Sequence, residues 1–148
     1  MTWELTVAAI IEREGRFLVV EERDPGYPLP VLNQPAGHVD HGEGILEAVV
    51  RETLEETGLA FTPARLVGVY QLRARNGQDY CRVCIAGTVP AAATAAPKDA
   101  QILACHWLRP DQIASRGPRS SLVLACIQDH LAGRSFPLDL LQGPVLDR

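Results

Sequence analysis

Apolar residues fall into short runs along the chain, in part alternating with polar residues, and such runs predict β-strands. These runs occupy residues 3–13, 15–22, 64–74, 78–89 and 102–108. Glu14-Gly15 separates the first two runs, and Asn76-Gly77 separates the next two. Each couple is therefore predicted to form a hairpin, the second one with a type I′ turn.

Two other segments repeat apolar residues at helical spacing. The first runs from about Glu43 to Thr57 and ends at Gly58, a residue type that readily takes the left-handed conformation at a helix end. The second runs from about Ser120 to Leu131. Strands with one long helix among them and another after them predict an α/β or α+β domain with a mixed sheet.

Length, composition and charge narrow the class of protein. The 148 residues suit one domain, residues 1–148, and the content of 47% hydrophobic and 22% charged residues is ordinary for a globular chain. The formal net charge of −4 argues against a nucleic-acid partner. Neither a signal peptide nor a run of about 18 apolar residues is evident, so we expect no membrane partner and a cytoplasmic protein. We expect a monomer or a weak homodimer.

Cys81 and Cys84 have the C-x-x-C spacing of some zinc and redox sites, but they lie in a strand-like run. Residues three apart on a strand point to opposite faces, and the sequence has no second C-x-x-C to complete a zinc site. We therefore predict that both cysteines, together with Cys105 and Cys126, are buried reduced thiols.

The first predicted helix carries the main candidate chemistry. At about 100° per residue, Glu52, Glu55 and Glu56 fall within an arc of roughly 100°. Carboxylates this close repel one another, and a divalent cation removes the repulsion. A solvated acidic face is the plain alternative. The glycine-rich lead-in PAGHVDHGEG favours a metal site, because a solvated helix does not need such a loop.

Residues 37–58 resemble the Nudix box, G-x5-E-x7-R-E-U-x-E-E-x-G-U, where U is apolar. Every charged and glycine position of the pattern is present, and the one departure is Thr53 at the first apolar position. The resemblance implies an α/β Nudix fold, an α/β/α sandwich with a mixed sheet in which the box forms a loop, a helix and a loop. It also implies a hydrolase of small-molecule diphosphates that uses Mg²⁺, with Mn²⁺ as the other candidate.

The resemblance further suggests metal ligands. Glu55 and Glu56 are expected to be the principal ones, the Gly37 carbonyl another, and Glu52 a ligand or the general base. Asp99, in a downstream loop, is the alternative base. The choice stays open, and we favour Glu52.

The resemblance also places Arg51 among the catalytic residues, in an ion pair with Glu43 that braces the loop against the helix. A pair between Arg51 and Glu47, one turn earlier, is nearly as strong an alternative. Glu43, His38 and Asp99 are further candidates for contact with the substrate.

Three stretches outside the box resemble a group of bacterial phosphatases within the family: NQPAGH at 33–38, GRFLVVEE at 15–22 and residues 119–141. They imply hydrolysis of thiamine pyrophosphate, hydroxymethylpyrimidine diphosphate and nucleoside di- and triphosphates, with release of orthophosphate. An ADP-ribose pyrophosphatase is the weaker alternative, because the proline expected about fifteen residues past the box is missing at 73–75. The alternatives from other classes are a non-catalytic nucleotide-sensing module and an isomerase of prenyl diphosphates.

Overall fold

The structure is a computed structural model that describes residues 2–147. Its strands are β1 (Trp3–Ile10), β2 (Glu12–Arg13), β3 (Arg16–Glu22), β4 (Val31–Asn33), β5 (Ala36–His38), β6 (Thr62–Arg73), β7 (Asp79–Thr88) and β8 (Ile102–Leu108). Its helices are α1 (Ile45–Thr57), α2 (Pro110–Arg116) and α3 (Ser121–Leu131), followed by a short 3₁₀ turn at Leu138–Leu140.

The strands form two four-stranded sheets. The first has the order β5-β1-β7-β6, and in the second β2, β3 and β4 are neighbours while β8 pairs with β3. β1 and β7 run parallel, whereas the other pairs are antiparallel. The predicted α/β fold with mixed strand directions is therefore confirmed.

The two faces of β1 and β7 pack against different helices, because successive side chains of a strand point to opposite sides. One face packs on α1 through Ala48 and Val49. The other packs on α3 through Val123 and Ile127. This arrangement is the predicted sandwich, with a sheet between helical layers.

The first predicted hairpin is only partly correct. Glu14 and Gly15 both have positive φ, 52° and 77°, which is the backbone of a type I′ turn. The run before the turn, however, is broken at Ile11: β1 joins the first sheet, and only the two-residue β2 pairs with β3. One apolar run thus contributes to both sheets, which periodicity alone does not reveal.

The second hairpin is confirmed, but its predicted type I′ turn is wrong. Among residues 2–147, Glu14 is the only non-glycine with positive φ, so Asn76 lacks the conformation that a type I′ turn requires. Instead Gly77 N–H donates to the Ala74 carbonyl over 2.9 Å, and Gly77 itself has φ +84°. This is a three-residue connection with glycine in the left-handed position.

Short elements were not predicted, because two or three residues are too few to show a period. β4 and β5 are the important cases, since β5 brings Gly37 beside β1 and α1. α1 begins at Ile45, two residues later than predicted, and α3 matches its predicted span to one residue. No helix within the described range is long and apolar enough to cross a membrane.

Candidate metal and phosphate site

α1 holds its carboxylates in place through a well-packed buried face. Gly58 ends the helix with φ +74°, and its N–H donates to the Leu54 carbonyl over 2.8 Å. Thr53, the departure from the box pattern, is fully buried, and its hydroxyl donates to the Val49 carbonyl over 2.7 Å. Because that hydrogen bond satisfies the hydroxyl, threonine fits an apolar position here.

Gly37 allows the Glu52 carboxylate to lie directly on the backbone of β5. A methyl group built on Gly37 would overlap all three atoms of that carboxylate. φ of Gly37 is not positive, so glycine is required for space and not for an unusual backbone. This close approach joins the loop of the box to its helix.

Arg51 lies at the centre of an ion-pair cluster. Its Nε and Nη2 donate to the two carboxylate oxygens of Glu43 over 2.7 and 2.9 Å, a bidentate pair. Nη1 donates to Glu52 over 2.9 Å and lies 3.3 Å from a Glu55 oxygen. Nη2 also donates to the His38 carbonyl over 3.0 Å. The predicted Arg51–Glu43 pair is confirmed.

Glu43 is fully engaged in this bracing. Besides Arg51, its carboxylate accepts the Asp40 N–H over 3.0 Å. The bond from Arg51 is the main cause that lowers the pKa of Glu43, so the carboxyl is ionised at neutral pH. The structure therefore places Glu43 where it fixes the loop.

Glu56 is the most unusual group of the site. Glu56 as a whole is only 7% exposed, and one oxygen of its carboxylate accepts the Ala36 N–H over 2.9 Å. Burial, with repulsion from the charges of Glu22, Glu52 and Asp99, raises the pKa of Glu56 to about 9. Burial also raises the pKa of Glu52. A cation bound here would offset both effects.

Glu55 and Asp99 lie on the outer side of the site. The side chain of Glu55 is 51% exposed, and with Leu54, Lys98 and Asp99 it lines a surface groove of about 380 Å³. The Lys98 N–H donates to the Glu55 carbonyl over 3.2 Å, which holds the downstream loop against the end of α1. The structure thus brings Asp99 to the helix that carries the other predicted residues.

The donor set suits a hard divalent cation, although within the residues described no three acidic, histidine or cysteine side chains are placed so that they could hold an ion. Arg51 donates hydrogen bonds to both Glu52 and Glu55. A cation would compete with Arg51 for those two carboxylates. The raised pKa of buried Glu56 marks the position where positive charge is most needed.

The His38 side chain is not brought to the carboxylates. It is 58% exposed, its Nε2 lies 3.4 Å from a Glu4 oxygen, and its ring lies beside that of Tyr80. Only the His38 carbonyl reaches the site, through Arg51. The expected contact of the His38 side chain with substrate gains no support from this position.

Glu22 was missed by the sequence analysis. Burial has the largest effect on the pKa of Glu56 and raises it, and the hydrogen bond from Ala36 has the next largest effect and lowers it. The negative charge of Glu22 comes third and raises the pKa. Its carboxylate accepts Arg119 Nη1 over 2.6 Å and Asn33 Nδ2 over 3.4 Å. The available signal was the pair of acidic residues that ends the strand-like run at 15–22.

A buried arginine extends this polar network into the core. Arg82 is 8% exposed, and its guanidinium donates to the side-chain oxygens of Gln34 and Asn33, each over 2.9 Å. Gln34 in turn donates to the Val123 carbonyl over 2.7 Å. The NQ of NQPAGH therefore links the box loop to β7 and α3, a role that needs the tertiary structure to be seen.

The fold, the braced box and its buried carboxylate define a class of protein. The chain belongs to the Nudix family: the model of the NUDIX domain matches residues 2–125. It is a hydrolase that acts on phosphoric anhydrides, with nucleotide-like diphosphates as substrates. Nudix hydrolases typically use a divalent metal such as Mg²⁺. The resemblance read from residues 37–58 is confirmed.

Particular relatives narrow the position within the family. The curated Phosphatase NudJ of Escherichia coli O1:K1 / APEC is 34% identical over 138 residues, which are 93% of this chain and 89% of that protein. A NUDIX hydrolase from Nitrosomonas europaea superposes with a TM-score of 0.88 at 40% identity, covering 96% of this chain and 97% of the other. MutT NUDIX hydrolase from Burkholderia pseudomallei, with a TM-score of 0.72 at 23% identity over 87% of this chain and 98% of its own, shares the fold.

Proposed function

We propose that the protein is a Mg²⁺-dependent phosphohydrolase of the NudJ type. Its substrates on this proposal are thiamine pyrophosphate, hydroxymethylpyrimidine diphosphate and nucleoside di- and triphosphates, cleaved with release of orthophosphate. The observation that carries the proposal is the buried Glu56 carboxylate, held by the Ala36 N–H and repelled by the charges of Glu22, Glu52 and Asp99. Burying that much negative charge is costly unless a cation joins it.

Gly37, through its carbonyl, and Glu52, Glu55 and Glu56 are the residues that would hold the ion. Bound there, Mg²⁺ or Mn²⁺ would neutralise the diphosphate oxygens and acidify a coordinated water. Arg51 keeps α1 and the loop in register, so these ligands are presented from stiff elements.

Glu52 is our choice for the general base, with Asp99 as the alternative. The Glu52 side chain is 15% exposed and lies against Gly37, and burial raises its pKa, which favours proton acceptance. Asp99 lies in the exposed loop beside Glu55. The arginine that touches Glu52 opposes the basicity, so the base has to work while held by Arg51 or be released from it.

The substrate class rests on similarity to Phosphatase NudJ over most of the chain and on the NQPAGH and GRFLVVEE segments. The NudJ-type reaction releases orthophosphate, whereas ADP-ribose would be split into two phosphorylated fragments. A structural neighbour, the NUDIX domain of Shewanella oneidensis NrtR, was solved in complex with ADP-ribose. At 17% identity its likeness supports the fold but not the choice of substrate.

A substrate panel tests the proposal. The purified protein is incubated with thiamine pyrophosphate, nucleoside diphosphates and triphosphates, and ADP-ribose, with Mg²⁺ or with a chelator, and orthophosphate and pyrophosphate are measured separately. We expect Mg²⁺-dependent orthophosphate from thiamine pyrophosphate, and incorporation of ¹⁸O from water into that product. The Glu56→Gln variant, assayed under the same conditions, gives the background rate of phosphate release.

Other outcomes would overturn the proposal. Turnover of ADP-ribose alone would leave a Nudix hydrolase of another specificity. Tight binding of a nucleotide without turnover of any diphosphate, at high enzyme concentration, would indicate a sensing module.

A further inference from the structure

Two cysteines from distant parts of the chain meet in the core. Cys84 lies on β7 and Cys126 on α3, 42 residues apart, and both are 0% exposed. Their sulfur atoms are 2.6 Å apart, only about 0.5 Å more than the length of a disulfide bond. The two sulfurs are therefore in direct contact.

The surroundings make the two thiols unequal. Cys126 has a lowered pKa, because it shares a hydrogen bond with Cys84, in which either sulfur can be the donor, and because the positive guanidinium of Arg82 lies nearby. Burial raises the pKa of the Cys84 thiol. The negatively charged group on this side is Asp129, which accepts the Tyr70 hydroxyl over 2.6 Å. Cys126 is therefore the nucleophilic sulfur and Cys84 its proton-bearing partner.

We propose that a hydroperoxide oxidises the thiols of Cys84 and Cys126 to a disulfide bond, which covalently links α3 to β7. The proposal is independent of the phosphohydrolase site. It assigns a modification to two residues that the hydrolysis does not use.

The chemistry balances with hydrogen peroxide as oxidant. The Cys126 thiolate attacks one peroxide oxygen, the O–O bond breaks, and the leaving hydroxide takes a proton to become water. Cys126 is then a sulfenic acid. The Cys84 thiol gives up its proton and attacks the Cys126 sulfur, so that the S–S bond forms and the S–O bond breaks with loss of water. Two thiols lose two electrons, and the peroxide becomes two waters.

The other two cysteines have different surroundings and serve as internal controls. The Cys105 thiol donates to the Glu56 carbonyl over 3.5 Å, and burial raises its pKa to about 11. Cys81 is half-buried, and its place on β7 puts it on the opposite face from Cys84. Because all four cysteines are free in the structure, the pairing can be followed from the reduced protein.

Burial decides the choice of oxidant and variant. A water-sized peroxide can reach a core position during small openings that exclude larger reagents. The wild-type protein and a variant with Cys81→Ser and Cys105→Ser are exposed to hydrogen peroxide, remaining thiols are alkylated under denaturing conditions, and the chain is cut with trypsin. Cleavage places the four cysteines on four separate peptides: 76–82, 83–98, 99–116 and 120–134.

We expect peptides 83–98 and 120–134 to be joined, two hydrogens lighter than their sum, and to separate on reduction. In the double variant, both remaining thiols should disappear together. Cys84→Ala and Cys126→Ala should each lack the joined peptide, and either one suffices if the other fails to fold. Peptides 83–98 and 120–134 that remain separate after the peroxide has consumed the thiols would overturn the proposal, as would joining in other combinations.

Discussion

Glu56→Gln should make the metal-free protein more stable at alkaline pH while it removes most of the turnover. The glutamine oxygen can still accept the Ala36 N–H, but the side chain no longer ionises. Glu56 is 7% exposed and its folded-state pKa is about 9, against an ordinary value of 4.5. The wild-type chain therefore carries a carboxyl that the unfolded state can ionise and the folded state resists ionising.

Proton linkage determines whether the free energy of unfolding rises or falls as the pH increases. Below the unfolded-state pKa of Glu56 both states keep the proton, and the folded protein suffers no penalty. As the pH rises from 4.5 toward 9, the unfolded chain ionises first, and the free energy of unfolding falls by up to about 1.36 kcal/mol per pH unit. Between pH 5 and pH 8 the upper limit is about 4 kcal/mol, and we expect about 2–4 kcal/mol.

Urea denaturation in a chelator, at pH 5 and at pH 8, measures this effect. The difference in free energy of unfolding between Glu56→Gln and wild type should be about 2–4 kcal/mol more favourable to the variant at pH 8 than at pH 5. The cost of burying the glutamine amide is the same at both pH values, so it cancels in this comparison. Glu55→Gln alters the same atoms on a side chain that is 51% exposed and is the matched control. Mg²⁺ should stabilise wild type more than Glu56→Gln. An equal difference between variant and wild type at both pH values would refute the reasoning.

Three further predictions test how Arg51 and Gly37 brace the site and which residue is the general base. Gly37→Ala should cost about 1–3 kcal/mol in urea denaturation and most of the turnover, because the new methyl overlaps Glu52. Arg51→Lys should cost about 1–2 kcal/mol and lower kcat, because lysine cannot make the bidentate bond to Glu43. Asp99→Asn should lower kcat much less than Glu52→Gln if Glu52 is the base, as measured by phosphate release at saturating Mg²⁺.

Two of these predictions have a matched control, and two have an outcome that would contradict them. Gly26→Ala introduces a methyl that meets only the end of the Asp24 side chain, so it should leave stability and turnover nearly unchanged. Arg73→Lys loses a bidentate pair on the surface and should have little effect. A Gly37→Ala protein with normal turnover would show that Glu52 does not need its present position. A larger loss in Asp99→Asn would transfer the base role to the downstream loop.

The box was readable from the sequence because its information is local. α1 is one continuous amphipathic segment, and the spacing of Glu52, Glu55 and Glu56 along it determines their common face. The ion pair between Arg51 and Glu43 was predicted with a rival, and the bidentate geometry decided between them. The type I′ turn predicted between the strands of the second hairpin was wrong, because an Asn-Gly pair is compatible with more than one turn type.

What the sequence by itself determined is the family, the helix, and the carboxylates that face the same way, since all of these depend on neighbours within about four residues. Only the tertiary structure decided that Glu56 is buried and that the charge of Glu22 acts on it, since Glu56 lies on α1 and Glu22 at the end of β3, and the pKa of Glu56 depends on what excludes water there. The meeting of Cys84 with Cys126 has the same origin. Burial and long-range contact are properties of the packed chain, and no local pattern encodes them.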